Sequence, residues 1–264
     1  MPVIPREQAE VYFETYGESG PWVTLINGHT RTHKDFRMLI KTLVSSGYRC
    51  LAMDNRGSGQ STAHAPFTLT QMTSDIEAIW NKLEIKETHL LGISMGGMIS
   101  QALTKQNPKT IKTLCLISTA SSNGWISDIG DEPWGDTISE VLEKLEKYFA
   151  HDFIKKNKLL IQSMAKQILK GIEEGAFSDG ARMQREAMQD ILLEDDAKNI
   201  TCPTLIIHGL EDQIIDPRAA SVLDDKINNS ELILVEGVGH LLLAEYSKKL
   251  YQHILDFIET PQSN

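Results

Sequence analysis

Cysteine is scarce in this chain: 264 residues hold three, Cys50, Cys115 and Cys202. An odd count, with each thiol in or beside an apolar strand-like run, excludes a disulfide-stapled scaffold and fits a reducing compartment. Long apolar runs are also missing. None approaches the roughly 18 residues a membrane helix needs, and Met1 to Glu14 carries no apolar signal-peptide core. The expectation is a cytoplasmic protein without a membrane span. Basic charge is in deficit: 26 Lys and Arg against 36 Asp and Glu give a formal net charge of −10. Without a basic cluster, that balance sets nucleic-acid binding aside. There is no internal repeat and no low-complexity segment. What remains is an ordinary globular composition, 41% hydrophobic and 23% charged, enough for one large α/β domain.

Short apolar runs alternate with helix-periodic segments. Residues 9–17 read as an edge strand, followed by strands at Trp22–Asn27, Tyr48–Asp54, Thr88–Ile93 and Ile111–Ser118. Helices are expected at 34–46, 70–84 and 95–107, with Gly47 and Pro108 as stop signals. The alternation resumes with strands at Pro203–His208 and Glu231–Val235 and a closing helix over 242–259. This pattern predicts a mostly parallel sheet with helices on both faces. Between 120 and 200 it breaks: 138–150, 153–170 and 180–194 are helical by period, with no strand-like run. The division is a core of residues 1–119 and 200–264 and an inserted helical lid, 120–199.

Within His89-Leu90-Leu91-Gly92-Ile93-Ser94-Met95-Gly96-Gly97-Met98, an apolar strand runs into Gly-x-Ser-x-Gly and then a helix. That order describes a nucleophile elbow, with Ser94 at the apex of a tight turn and Gly92 and Gly96 where side chains would collide. The helix behind it would aim Met95 N–H at an oxyanion. A serine hydroxyl needs a general base. His240 ends Gly237-Val-Gly239-His240, directly after the last strand, on the same sheet edge as the elbow. The base needs an orienting acid. Asp212, four residues past the preceding strand, fills that role over Glu211, Asp216 and Asp128; Asp216 before Pro217 reads as a helix cap.

The order Ser94, Asp212, His240 resembles that of an α/β-hydrolase of the single-domain, helical-lid, carboxylesterase-like type. The resemblance also rests on Asp54-x-Arg56-Gly57-x-Gly59-x-Ser61, Gly209-x-x-Asp212 with Pro217, and Gly237-x-Gly239-His240. It spans about residues 20 to 258. It implies a second oxyanion donor just after a His-Gly pair. Here that segment is Asn27-Gly28-His29, with asparagine in place of histidine and the donor falling on His29 N–H. Each such donor is worth about 3 kcal/mol in the transition state. Arg56 and Asp54 would brace their loop.

A serine nucleophile, not aspartate, argues against dehalogenase and epoxide hydrolase chemistry. The expected reaction is hydrolysis of a small carboxylic ester, or a related lactone or thioester, through an acyl-enzyme on Ser94. C–C bond hydrolysis and cofactor-free perhydrolysis use related sites, and a slow or non-catalytic ligand receptor of the same fold is the alternative from another class. No cofactor is implied. His29 and His33 have i, i+4 spacing, but no third ligand stands near, so no metal is expected. Trp125 and Arg31 are the candidates for the substrate pocket, with Trp134, Phe149, Met164 and Met188 as further lid residues that could line it. The expected partner is a small acyl substrate; the oligomeric state is not readable.

Overall fold

The computed structural model describes residues 2–127, 134–173, 179–189 and 191–260. The chain opens with β1 (Val3–Arg6), β2 (Ala9–Tyr16) and β3 (Trp22–Ile26). A 3₁₀ turn at His33–Phe36 leads into α1 (Arg37–Ser45), then β4 (Arg49–Met53), α2 (Leu69–Lys82), β5 (Thr88–Ile93), α3 (Met95–Gln106) and β6 (Ile111–Ile117). Among the described residues a 3₁₀ turn at Asn123–Trp125 and five α-helices follow before the next strand: α4 (Ile138–Glu146), α5 (His151–Lys156), α6 (Lys158–Glu173), α7 (Asp179–Met188) and α8 (Glu194–Ala197). The chain ends with β7 (Thr204–Gly209), α9 (Arg218–Lys226), β8 (Ser230–Val235), α10 (Leu242–Glu245) and α11 (Ser247–Glu259).

The eight strands form one sheet in the order β1-β2-β4-β3-β5-β6-β7-β8. The first two are antiparallel to their neighbours and β3 to β8 are parallel. Parallel strands buried on both faces need apolar side chains on both, which explains their unbroken apolar runs. Leu51, Met53, Leu90, Leu114, Leu116 and Ile206 face one core with α2, α3 and α9. Cys50, Ala52, Leu91, Cys115, Ile117, Leu205 and Ile207 face the other with α1 and α11. The three cysteines are buried free thiols.

Four elements differ from their sequence reading, among them the closing helix expected over 242–259, which is divided at Tyr246 into α10 and α11. β1 is an added edge strand. The helix expected at 153–170 is divided at Asn157, whose side chain donates to Phe153 O at 2.9 Å and ends α5. The helix expected at 180–194 stops at Met188, because Leu192 forms a β-bridge with Ser122 instead. Among the described residues no helix is long and apolar enough to cross a membrane.

The helices between β6 and β7 have a small core of their own, with Val141, Leu145, Phe149, Ile161 and Ala165 buried together. α4 starts on a capping box, Thr137 with Glu140. The sheet sets the position of the site. β4 lies on one side of β3 and β5 on the other, so the strand order reverses there, and ligands of such sheets bind in the crevice beyond the carboxyl ends of the strands at that point. The loops after β3, β5, β7 and β8 all leave from that edge.

Candidate active site

Ser94 follows β5 with φ 54° and ψ −122°, a left-handed conformation strained for a residue with a side chain. Hydrogen bonds to its backbone hold it: Ser94 N donates to Ile117 O at 3.0 Å, and its carbonyl accepts from Gly97 N at 2.8 Å, Met98 N at 3.4 Å and Thr119 Oγ1 at 2.7 Å. The turn needs its glycines. A Cβ on Gly92 would lie 2.3 Å from Gly96 O, and one on Gly96 would lie 2.2 Å from Ile26 O. Serine at a helix start ordinarily caps an N–H, but the Ser94 hydroxyl caps nothing. Met95 opens α3, so its N–H is the first of that helix's donors without an intrahelical partner.

Asp212 and His240 arrive from the loops after β7 and β8. His240 Nδ1–H donates to Asp212 Oδ2 at 2.8 Å, and both residues are buried. That leaves Nε2 as the ring nitrogen on the cavity side. Asp212 Oδ1 accepts from Ile214 N at 2.8 Å and Ile215 N at 2.9 Å. Burial alone would push the Asp212 carboxyl up. The adjacent His240 and His208 rings outweigh it and hold the carboxyl well below the usual carboxylate range. The rival acids are engaged elsewhere: Glu211 accepts from His151 N at 3.0 Å and Asp216 pairs with Arg218. Asp128 lies outside the described residues.

The loop after β3 passes close to the serine. A Cβ on Gly28 would lie 3.2 Å from Ser94 Cβ. Asn27 shapes this loop: its Nδ2 donates to Thr32 O at 2.7 Å and Asp35 Oδ2 at 2.9 Å, while its Oδ1 accepts from Gly28 N at 2.8 Å. His29 Nε2–H donates to Ala181 O at 2.8 Å, whereas His33 Nδ1 is bonded to Asp54 at 2.7 Å. The two imidazoles therefore serve different partners. Arg56 clasps Asp75 with two hydrogen bonds, bracing its loop.

Ser94, Met95, His29 and His240 all line one cavity of about 560 Å³. Its walls are largely apolar, with Ile117, Leu145, Tyr148, Ile168 and Ile215 among them. Trp134, Met164 and Met188 join the lining, whereas Phe149 is buried in the helical insertion and stacked on Phe153. Arg31 reaches the cavity with its guanidinium bound to Asp35 at 2.7 and 2.8 Å. Trp125 is placed outside the lining, its indole N–H donating to Glu194 at 3.0 Å. The tryptophan at the cavity is Trp134.

Several polar residues at the site escaped the sequence reading. His208 Nε2–H donates to Asp212 Oδ2 at 3.0 Å and to Ile215 O at 3.2 Å. Its position directly before Gly209-x-x-Asp212 was the available signal. Glu245 accepts from Gly239 N at 3.0 Å and Ala150 N at 2.9 Å, tying the His240 loop to the insertion. Burial pushes its carboxyl up to about 7. Tyr148 O accepts from His240 N at 2.9 Å and Leu241 N at 3.3 Å.

Known proteins share this framework. The family model described as the alpha/beta hydrolase fold matches residues 21–245. A putative non-heme chloroperoxidase of Synechocystis sp. is 23% identical over 265 residues, covering 95% of each chain. Lipase 3 of Moraxella sp. is 27% identical over 250 residues, 90% of this chain and 77% of the lipase. The crystal structure of MGS-M2, an alpha/beta hydrolase enzyme from a Medee basin deep-sea metagenome library, superposes with a TM-score of 0.88. It is 20% identical and covers 99% of this chain and 98% of its own. With the family model spanning most of the chain and the sheet order above, this protein belongs to the α/β-hydrolase fold family.

Proposed function

We propose that the chain is a serine hydrolase of small carboxylic esters, with Ser94 as nucleophile, His240 as general base and Asp212 as its orienting acid. The observation that carries this reading is the buried Asp212–His240 hydrogen bond of 2.8 Å at the cavity that Ser94 enters from its strained turn. Asp212 accepts the Nδ1 proton and so selects the tautomer whose Nε2 lone pair can take a proton.

In the first half-reaction His240 Nε2 takes the Ser94 proton as Oγ bonds to the ester carbonyl carbon. The carbonyl oxygen becomes an oxyanion, which His29 and Met95 N–H groups stabilise. The C–O bond to the alcohol then breaks, and the alcohol leaves with the proton from His240. Water repeats the sequence: His240 takes its proton, hydroxide adds to the acyl carbon, and Ser94 leaves re-protonated with release of the acid. The cavity volume lies in the range of small-ligand sites, and the apolar part of its wall, with Ile117, Leu145, Ile168 and Ile215, suits an uncharged acyl group of modest size. Residues 120–199 act as a lid in this reading, and the protein works in the cytoplasm.

Labelling with a fluorophosphonate probe, followed by peptide mass spectrometry, tests the proposal. An adduct on Ser94, absent from Ser94→Ala, is expected; a folded wild type that takes no label overturns it. The relative named as a chloroperoxidase favours one second reading, perhydrolysis, in which hydrogen peroxide replaces water as the second nucleophile. Peracid formation from acetate and peroxide, measured on the same protein, separates the two.

A further inference from the structure

Gln184 lies on α7, in the helical insertion, and is wholly buried. A buried primary amide is costly unless both ends are bonded, and here each end bonds the backbone of a different core loop. Oε1 accepts from Thr30 N at 2.8 Å. Nε2 donates to Arg56 O at 2.8 Å. The residue bonded to Oε1 is the neighbour of His29 and is strained: Thr30 has φ 60°, a region β-branched residues rarely occupy. Such a conformation persists only where its surroundings over-determine it. The surroundings here are the Gln184 bond, the Thr30 hydroxyl donating to His29 O at 2.6 Å, the Arg31 N–Gly28 O turn at 3.2 Å, and the His29 ring on Ala181 O at 2.8 Å. Two of these four restraints come from α7.

The other end of the amide meets an anchored loop. Arg56 is held by Asp75 at 2.9 and 2.7 Å. Beside it the first turn of α7 rests directly on backbone, so that a Cβ on Gly180 would lie 2.1 Å from Gly57 O. The chain of contacts runs from Asp75 through Arg56 and Gln184 to Thr30 and His29.

We propose that Gln184 is a positioning residue, through which helix α7 of the insertion sets the aim of the His29 N–H in the oxyanion hole. The inference rests on the serine-hydrolase reading above. It makes the insertion part of the catalytic geometry as well as a cover. When α7 is seated, the donor points at the oxyanion. When α7 is displaced, the strained Thr30 loses two of its four restraints and the loop relaxes. Ground-state binding of substrate, which depends on the apolar walls, is little affected.

The test uses the full-length protein, with 4-nitrophenyl butyrate as substrate and a fluorophosphonate as an independent probe, because the phosphonyl oxygen also enters the oxyanion hole. Gln184→Met keeps the volume and removes both hydrogen bonds. Removing an oxyanion donor costs 10²–10³-fold; misaiming one should lower kcat about 10- to 100-fold, slow phosphonylation by a similar factor, and leave KM within about threefold. A folded Gln184→Met protein with wild-type kcat overturns the proposal, as does one in which KM alone rises. Gly180→Ala is the second variant, since its methyl would push α7 off the Gly57 carbonyl; the same kcat-selective loss is expected, and an unchanged kcat counts against the proposal. Failure of the underlying reading looks different: wild type itself then takes no label on Ser94.

Discussion

Replacing Asp212 by asparagine tests the proposed triad most sharply, because all four hydrogen bonds to the carboxylate come from N–H donors. Ile214 N and Ile215 N meet Oδ1, and His240 Nδ1 and His208 Nε2 meet Oδ2. An amide has one oxygen and one NH₂, so one pair of donors must face another donor. If the NH₂ faces Ile214 and Ile215, two buried backbone N–H groups lose their acceptor, at about 1–3 kcal/mol each. If it faces the histidines, His240 can escape by moving its proton to Nε2. His208 cannot do so cheaply, since its Nε2–H is also bonded to Ile215 O at 3.2 Å. The second arrangement loses about one hydrogen bond, roughly 1–3 kcal/mol, and is preferred. It leaves His240 with a proton on Nε2, where the proposed general base requires a lone pair. A wrong-tautomer histidine of this kind costs about 10⁴ in kcat in serine proteases, or roughly 5.4 kcal/mol of barrier. Asp212→Asn should therefore fold, melt about 2–12 °C below wild type, and hydrolyse 4-nitrophenyl butyrate about 10⁴-fold more slowly, with Ser94→Ala fixing the background. A folded Asn variant that keeps more than about a tenth of wild-type kcat would refute the tautomer argument.

Further predictions concern the surroundings of the site. Glu245 is protonated up to about pH 7 in the folded protein, from an ordinary value of 4.5. The folded state thus holds more protons than the unfolded one between those values, and its contribution to stability falls as pH rises through that window. Melting temperatures measured from pH 5 to 8 should show a downward component in wild type that Glu245→Gln lacks; parallel curves would count against it. Gly92→Ala places a methyl within 2.3 Å of Gly96 O and 2.4 Å of Ser100 Oγ. Overpacking of that kind costs about 1–3 kcal/mol or more, so denaturant unfolding should show a clear loss together with slower Ser94 labelling. Ile168→Ala widens the cavity, and in a panel of 4-nitrophenyl esters it should move the preference toward longer acyl chains. Trp125→Phe, outside the lining, should leave that preference unchanged while lowering stability through the lost Glu194 bond.

Local rules carried much of this molecule. Parallel strands buried on both faces read as plain apolar runs, and the two cores collect their alternate residues. Gly92 and Gly96 mark a place where backbone approaches backbone, and the structure brings Ser94, Asp212 and His240 to one sheet edge. The less legible features depend on distant partners. β1 contains Pro5 and Arg6 and pairs only with β2 at the sheet edge, so no alternating apolar pattern announces it. Trp125 and Trp134 look alike in sequence, and only the path of the insertion decides which reaches the cavity. Gln184 sits in a helix of polar composition with nothing local to separate it from a solvated side chain. Its two partners are 154 and 128 residues away. Glu245 likewise reads as a helix-surface carboxylate until Ala150 is seen to donate to it.

The fastening of the His240 loop to Tyr148 and Ala150 bears on exchange of parts between relatives. Helical insertions invite treatment as cassettes, swapped at the ends of β6 and β7 to transfer substrate preference. Here a cut of that kind would remove the Tyr148 carbonyl that receives His240 N–H and the Ala150 N–H that meets Glu245. The recipient scaffold would keep its serine and its acid and lose the backbone support of its base. A chimera should graft α6 and leave residues 148–151 and α7 native; otherwise inactivity would reflect a displaced histidine or a misaimed oxyanion donor and say nothing about the donor's specificity.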